Sequence, residues 1–118
     1  VFQPTVLTDV PASASIVCKE VFGPVVSVLP FDTLAEAIEL ANAHPYSIHA
    51  AIFTSNIKSA LVASRQLEAA GVMINDSTDY RLDAMPFGGA RRGSMGREGV
   101  RFAVKEMMQT KVVCFNLA

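Results

Sequence analysis

The sequence predicts an α/β fold on a mainly parallel sheet, in the order β-α-β-α-β, followed by a long loop, a helix and a last strand. Three observations predict it. Short β-branched apolar runs alternate with stripes of helical period. The stripes are bounded by residues that start or stop helices. A helix between two apolar strands also implies parallel pairing through a right-handed crossover. The length, 118 residues, suits one domain.

The first strand is expected at Val25-Val26-Ser27-Val28-Leu29, after Gly23-Pro24 and before Pro30. Asp32-Thr33 opens a helix, and Thr33 with Glu36 has the spacing of a capping box. Leu34, Ala37, Ile38 and Ala41 form its stripe, and Pro45 ends it because a residue before proline resists helical geometry. Ala50 to Thr54 is the second apolar run. Ser55-Asn56 can cap a second helix with an inward stripe of Ile57, Ala60, Leu61, Ser64 and Leu67. Gly71 suits a left-handed position after it, and Val72 to Asn75 is the third strand. A polar stretch, Asp76 to Pro86, and a glycine-rich one, Gly88 to Gly99, precede a helix striped by Val100, Ala103, Val104 and Met107. Lys111 to Phe115 is strand-like. Ligands of such sheets bind beyond the carboxyl ends of the strands, which points at Asn75 and the long loop after it.

Composition narrows the function. Eleven acidic residues nearly cancel ten basic ones, so net charge lends no support to a nucleic-acid or membrane-surface partner. No apolar run approaches the roughly 18 residues of a membrane span. The start, Val1-Phe2-Gln3-Pro4, does not read as a signal peptide. Cys18 and Cys114 lack metal or disulfide spacing, so two free thiols in a reducing cytosol are expected. Only 18% of residues are charged against 51% hydrophobic, and the chain opens on Val1 rather than Met. A piece of a longer chain would read this way, with part of its surface made to pack against the remainder.

Each motif has a plain reading beside a chemical one. Five glycines between Gly88 and Gly99 serve either a phosphate cradle or a tight loop under a neighbouring element, and the spacing matches neither G-x-G-x-x-G nor a Walker loop. Arg91, Arg92, Arg97, Arg101 and Lys105 make that region basic. Arg91-Arg92-Gly93-Ser94 also has the form of a basic-directed phosphorylation site, a pattern common by chance. Glu20 can accept hydrogen bonds from a ligand hydroxyl with Phe22 beside it as a flat surface, or Glu20 is simply exposed and Phe22 joins the core. Asp76, Asp79 and Asp83 lack the alternation of a calcium loop and read as a solvated turn region, so no metal site is assigned. Arg81 among them is either an anion clamp or a partner for one of these aspartates. Cys18 has only Lys19 to activate it and reads as structural; Cys114 reads as a buried apolar residue. His44 and His49 have no partner constellation.

Glu20-Val21-Phe22-Gly23-Pro24, Asn75, and Pro86-Phe87-Gly88-Gly89 through Gly96-Arg97-Glu98 together resemble the C-terminal part of the NAD(P)-dependent aldehyde dehydrogenases, from about Pro4 to the end. The resemblance implies the α/β catalytic domain of that family over residues 1–109 and an oligomerisation strand over 110–118. It implies that Glu20 binds the nicotinamide ribose hydroxyls and that Phe22 packs beside the nicotinamide half of NAD or NADP. It implies that Asn75 ends a catalytic-domain strand, that 76–85 shapes the aldehyde tunnel and that Phe87 sits near the aldehyde and the nicotinamide; with Arg81 of that loop, Asn75 and Phe87 are the expected substrate-binding residues. A homodimer or homotetramer would form through Lys111 to Phe115 joining a neighbour's sheet. The family oxidises aldehydes to acids through a cysteine thiohemiacetal and a thioester. Its nucleophile, general base, oxyanion donor and Rossmann domain are expected upstream of Val1, so no catalytic residue is assigned in this chain and the piece alone should be inactive. Two departures stand out: Arg91-Arg92-Gly93-Ser94 replaces the usual K-x-S-G, and Tyr46-Ser47-Ile48 replaces Tyr-Gly-Leu. The expected whole is a cytoplasmic enzyme, with an anionic aldehyde as its substrate if Arg81 is a clamp. The reading from another class is a non-catalytic interaction module that works as written.

Overall fold

Two parallel strand pairs and two antiparallel segments organise the chain. A computed structural model describes residues 1–93 and 95–117, so the phosphorylation reading of Ser94 lies outside the described residues. Strand β1 (Thr5–Leu7) leads through a one-turn helix α1 (Ser15–Cys18) to β2 (Val25–Ser27), its parallel partner, with Thr5 opposite Val25. Helix α2 (Leu34–Asn42) follows, then β3 (Tyr46–Ser47) and β4 (His49–Ile52). Helix α3 (Ile57–Gln66) crosses over to β5 (Gly71–Ile74), which pairs parallel with β4 in the register His49–Gly71 to Ile52–Ile74. Strand β6 (Ala90–Arg91) folds back antiparallel on β3, and α4 (Val100–Glu106) closes the ordered elements. The α/β class follows from the β4-α3-β5 unit, as the alternating pattern predicts.

The caps are those the sequence offers. Thr33 Oγ1 accepts from the Glu36 N–H at 3.2 Å, while the Glu36 carboxylate accepts from the Asp32 N–H at 2.8 Å, one residue earlier than in a strict capping box. Asn56 Oδ1 accepts from both Lys58 and Ser59 N–H groups, relieving two orphan donors of α3. The core lies where α2, α3 and β5 meet and is small: Ile38, Ala60, Ala63 and Met73 are its buried apolar side chains among the described residues.

Several expectations are corrected. The strands form three two-stranded sheets rather than one continuous sheet. β1, α1 and the β3–β6 pair carry too few residues to produce a periodic signal. The inward face of α3 is Ala60 and Ala63, while Ile57 and Leu61 point to solvent. Small residues face inward because α3 sits close on α2 and β5. Gly71 is not left-handed but is the first residue of β5. Val100, Val104 and Met107 of α4 are exposed, as is Cys114, which was expected to be buried. Lys111 to Phe115 takes part in no sheet among the described residues. No helix of the described residues is long and apolar enough to cross a membrane.

Candidate functional site

The carboxyl ends of β4 and β5 are tied together by one side chain. Asn75 takes a left-handed φ of 57°. Its N–H donates to the Ile52 carbonyl at 2.8 Å, its Oδ1 accepts from the Thr54 N–H at 2.7 Å, and its Nδ2 donates to the Thr54 carbonyl at 3.0 Å. Asparagine suits both demands, tolerating the left-handed region and bridging backbone groups. Both polar atoms of the Asn75 side chain are thus engaged by the backbone that follows β4. Asn75 shapes the exit from β5, with one further donor hydrogen and one further lone pair on its amide.

From that exit the loop does not continue outward. It returns along the strands until the Thr78 carbonyl meets His49 Nδ1 at 2.8 Å, and His49 is the first residue of β4. The loop that leaves the carboxyl end of β5 thus lies along the strands as far as their amino ends. The side chains converge beside the amino ends of β4 and β5, in a groove of about 460 Å³ lined by Ile48, His49, Thr78, Asp79, Arg81 and Phe87.

Two of the residues predicted for substrate binding meet here. The Arg81 guanidinium lies 4.1 Å from the Phe87 ring centroid, a cation–π contact, and its Nη2 reaches Glu98 Oε2 at 3.2 Å. Its ionic partner is Glu98, not one of the neighbouring aspartates. This pair is open to water, with Arg81 46% and Glu98 68% exposed. Glu98 is held by backbone pairing with Phe87: the Glu98 N–H donates to the Phe87 carbonyl at 2.6 Å, and the Phe87 N–H to the Glu98 carbonyl at 3.2 Å. Phe87 also meets the His49 ring at right angles, with centroids 5.4 Å apart.

The glycine-rich segment serves its own packing. A Cβ on Gly89 would lie 2.5 Å from the Gly93 carbonyl oxygen, and Arg97 Nη1 donates to the Gly89 and Gly96 carbonyls at 3.0 and 2.8 Å. Arg91 Nη1 donates to the Asn42 carbonyl at 2.7 Å and pairs with Glu68 at 3.2 Å, fastening β6 to the carboxyl end of α2. Asn42 in turn donates to the Gln66 carbonyl and accepts from the Glu68 N–H. Two of the arginines of the basic segment are therefore structural ties, and the tight-loop reading describes this segment.

Glu20 lies on a second, smaller groove of about 360 Å³ with His44, Tyr46, Ser47, Ile48 and Gly93. Ile48 lines both grooves, so Glu20 and the side chains expected at substrate share a wall, while Phe22 lines neither groove. Among the described residues Glu20 has no ion-pair or hydrogen-bond partner, and Phe22 is 95% exposed rather than in a core. A free carboxylate beside an uncovered ring is a donor set that fits a ribose diol and a flat heterocycle. Cys18 Sγ faces the Ala12 carbonyl at 3.2 Å and lines neither groove. Sequence reasoning missed His49 and gave Glu98 no role. Neither carries a local signal, because their partners Thr78 and Arg81 lie 29 and 17 residues away.

The chain is similar to known proteins over nearly its whole length. A model of the aldehyde dehydrogenase family matches residues 1–113. Aspartate-semialdehyde dehydrogenase 1 of Pseudomonas canavaninivorans is 57% identical over 113 residues, which are 96% of this chain and 24% of that protein. Aldehyde dehydrogenase 21 from Physcomitrella patens, crystallised with the reaction product succinate, superposes with a TM-score of 0.89 at 37% identity over 96% of this chain and 24% of its own. The glyceraldehyde-3-phosphate dehydrogenase GapN from Methanocaldococcus jannaschii, complexed with NADP, does so at 0.83 and 42% identity over 91% of this chain and 23% of its own. The chain thus spans about a quarter of the length of the proteins it matches. On sequence and structure alike, it belongs to the aldehyde dehydrogenase family.

Proposed function

We propose that this chain is the C-terminal part of an NAD(P)-dependent aldehyde dehydrogenase that oxidises aldehydes bearing an anionic group to carboxylic acids. In this reading residues 1–109 complete the catalytic domain, and 110–118 join a neighbouring subunit in a cytoplasmic dimer or tetramer. The observation that carries the substrate class is Arg81, whose guanidinium lies on Phe87 in the groove with a water-exposed glutamate as its ionic partner. An exposed pair of this kind is worth ~0–1 kcal/mol, so a substrate anion can take the place of Glu98 at little cost. The names of two relatives support the reading: one is an aspartate-semialdehyde dehydrogenase, and another was crystallised with succinate as its product.

Each residue has a task. Glu20 accepts hydrogen bonds from the ribose hydroxyls and fixes the depth of the nicotinamide, and Phe22 covers that half of the cofactor. Phe87 bounds the groove and keeps Arg81 flat against its ring, and Arg81 holds the far end of the substrate so that its aldehyde points along the groove toward Ile48. The nicotinamide, when bound, accepts the hydride that leaves the aldehyde carbon. The covalent cysteine route requires a nucleophile that neither Cys18 nor Cys114 supplies, since neither lines the Arg81 or the Glu20 groove.

The test uses the full-length enzyme and compares an acid-bearing with a neutral aldehyde of equal length. Arg81→Ala is expected to lower kcat/KM for the acid-bearing one roughly 10- to 100-fold more than for the neutral one, the loss of one charge-assisted contact. Equal losses would refute the anionic substrate.

A further inference from the structure

We infer that His49 is a positioning residue that sets the preference of the Arg81 groove for anionic aldehydes; this rests on the reading of Arg81 as the anion clamp. His49 touches the groove from beneath, and three contacts fix its ring. Its Nδ1 lies 2.8 Å from the Thr78 carbonyl, which can only accept, so Nδ1 carries the hydrogen and ties the returning loop to β4. Its ring stands perpendicular to Phe87, at 89° and 5.4 Å between centroids. Its far edge fills the space a side chain at position 71 would need: a Cβ there would lie 2.7 Å from His49 Cδ2 and 2.9 Å from Nε2. Glycine at position 71 is therefore the complement of histidine at position 49 across the parallel register.

The contacts form a chain that ends on the clamp. His49 braces one side of Phe87, and Phe87 carries the Arg81 guanidinium at 4.1 Å. Backbone pairing fixes Phe87 to Glu98, the residue that holds Arg81 when no anion is present. Removing the imidazole frees the Phe87 ring to turn and releases Thr78 beside Arg81. The guanidinium then loses the flat support that aims it into the groove, and Glu98 keeps it. Cofactor contacts are spared, because Glu20 lies across Ile48 in the other groove.

The experiment measures kcat/KM for an acid-bearing and a neutral aldehyde, and KM for the cofactor, in the full-length enzyme and in His49→Ala, His49→Asn, Arg81→Ala and the His49→Ala/Arg81→Ala pair. His49→Ala is expected to lower the acid-over-neutral preference roughly fivefold, as loss of one hydrogen bond and one ring contact implies. His49→Asn keeps an amide nitrogen near the place of Nδ1, so it regains the Thr78 bond and recovers part of the preference. On the Arg81→Ala background, His49→Ala should leave the preference where Arg81→Ala put it, the signature of residues acting as one unit. Equal losses for both aldehydes in His49→Ala, with Arg81→Ala losing the acid-over-neutral preference, would overturn the role of His49 and leave the clamp standing. Loss of selectivity in neither variant would remove both. If His49→Ala fails to fold, His49→Asn decides alone: a wild-type preference overturns the proposal, and a reduced one with unchanged cofactor KM supports it.

Discussion

Isolating these 118 residues is the perturbation whose outcome the geometry determines most directly. The chain exposes 9573 Å². A closed monomer of 12.6 kDa would expose about 6,200 Å², an excess here of roughly 3,400 Å². A standard protein interface covers about 800 Å² on each partner, so the excess equals some four such faces. The radius of gyration makes the same point: it is 19.5 Å, against about 13.5 Å for a compact domain of this length. The uncovered surface is apolar where it matters, with Phe53, Val112, Phe115 and Leu117 all exposed. Two-stranded ribbons with both edges open are marginal alone, and all the sheets described here are of that kind.

The isolated chain is therefore expected to associate, or to stay expanded and bind a hydrophobic dye. Size-exclusion chromatography with light scattering over a dilution series, followed by small-angle scattering, measures both. Expected are a mass above 12.6 kDa that falls on dilution, or a radius near 19.5 Å, together with a broad thermal transition. A monodisperse 12.6 kDa species with a radius near 13.5 Å and a sharp transition would refute the reasoning, since such a chain would close on itself.

Other outcomes concern the full-length enzyme. Glu20→Gln keeps the shape of a side chain without internal partners, so it should leave Tm nearly unchanged while raising cofactor KM or slowing hydride transfer about tenfold; steady-state and stopped-flow kinetics read both. Asn75→Ala removes two hydrogen bonds from the backbone of Thr54 and places a Cβ-bearing residue without polar compensation at a left-handed φ, so it should cost ~1–2 kcal/mol and lower Tm. An Asn75→Ala enzyme with wild-type Tm but reduced aldehyde affinity would assign the Asn75 amide to the substrate instead.

What the sequence reveals of this fold depends on how local each cause is. Helices α2 and α3 are legible because their caps, Thr33 and Asn56, act on residues two and three positions away. β4 and β5 are legible as apolar runs, and the crossover between them fixes their direction. The side facing inward on α3 is not: Ile57 and Leu61 look like core until α2 and β5 are in place, and only then does the close approach select Ala60 and Ala63. β1, β3 and β6 are two or three residues long and exist because a partner 20 to 45 residues away lines up with them. Lys111 to Phe115 is a run with strand character and no strand to pair with inside the described chain, as a segment expected to join a neighbouring subunit would be. The site divides in the same way. Glu20, Phe22 and Phe87 stand in recognisable motifs and Arg81 in the loop between them, whereas His49 acquires its place only from the loop reversal at Asn75.

In the proposed reading, that reversal makes the groove discriminate by geometry more than by charge. Arg81 brings one positive charge, but Glu98 and Asp79 stand beside it, so the groove offers an incoming anion no strong positive field. Glu98 cannot withdraw far, because its backbone is paired with Phe87 on both hydrogen bonds. A substrate anion must therefore win the guanidinium from a tethered competitor. It wins only if it meets the planar fork squarely while the carboxylate of Glu98 reaches it from one side, through a single contact at 3.2 Å. The orientation of that fork is set by the Phe87 face, and Phe87 is braced by a histidine that the sequence alone leaves without a partner. Replacing Glu98 with Gln tests this directly. It removes the competing charge and keeps the backbone tie, so affinity for an acid-bearing aldehyde should rise by roughly two- to fivefold, as loss of one exposed ion pair permits. Affinity falling on that substitution would mean that Glu98 aims Arg81 rather than competing for it.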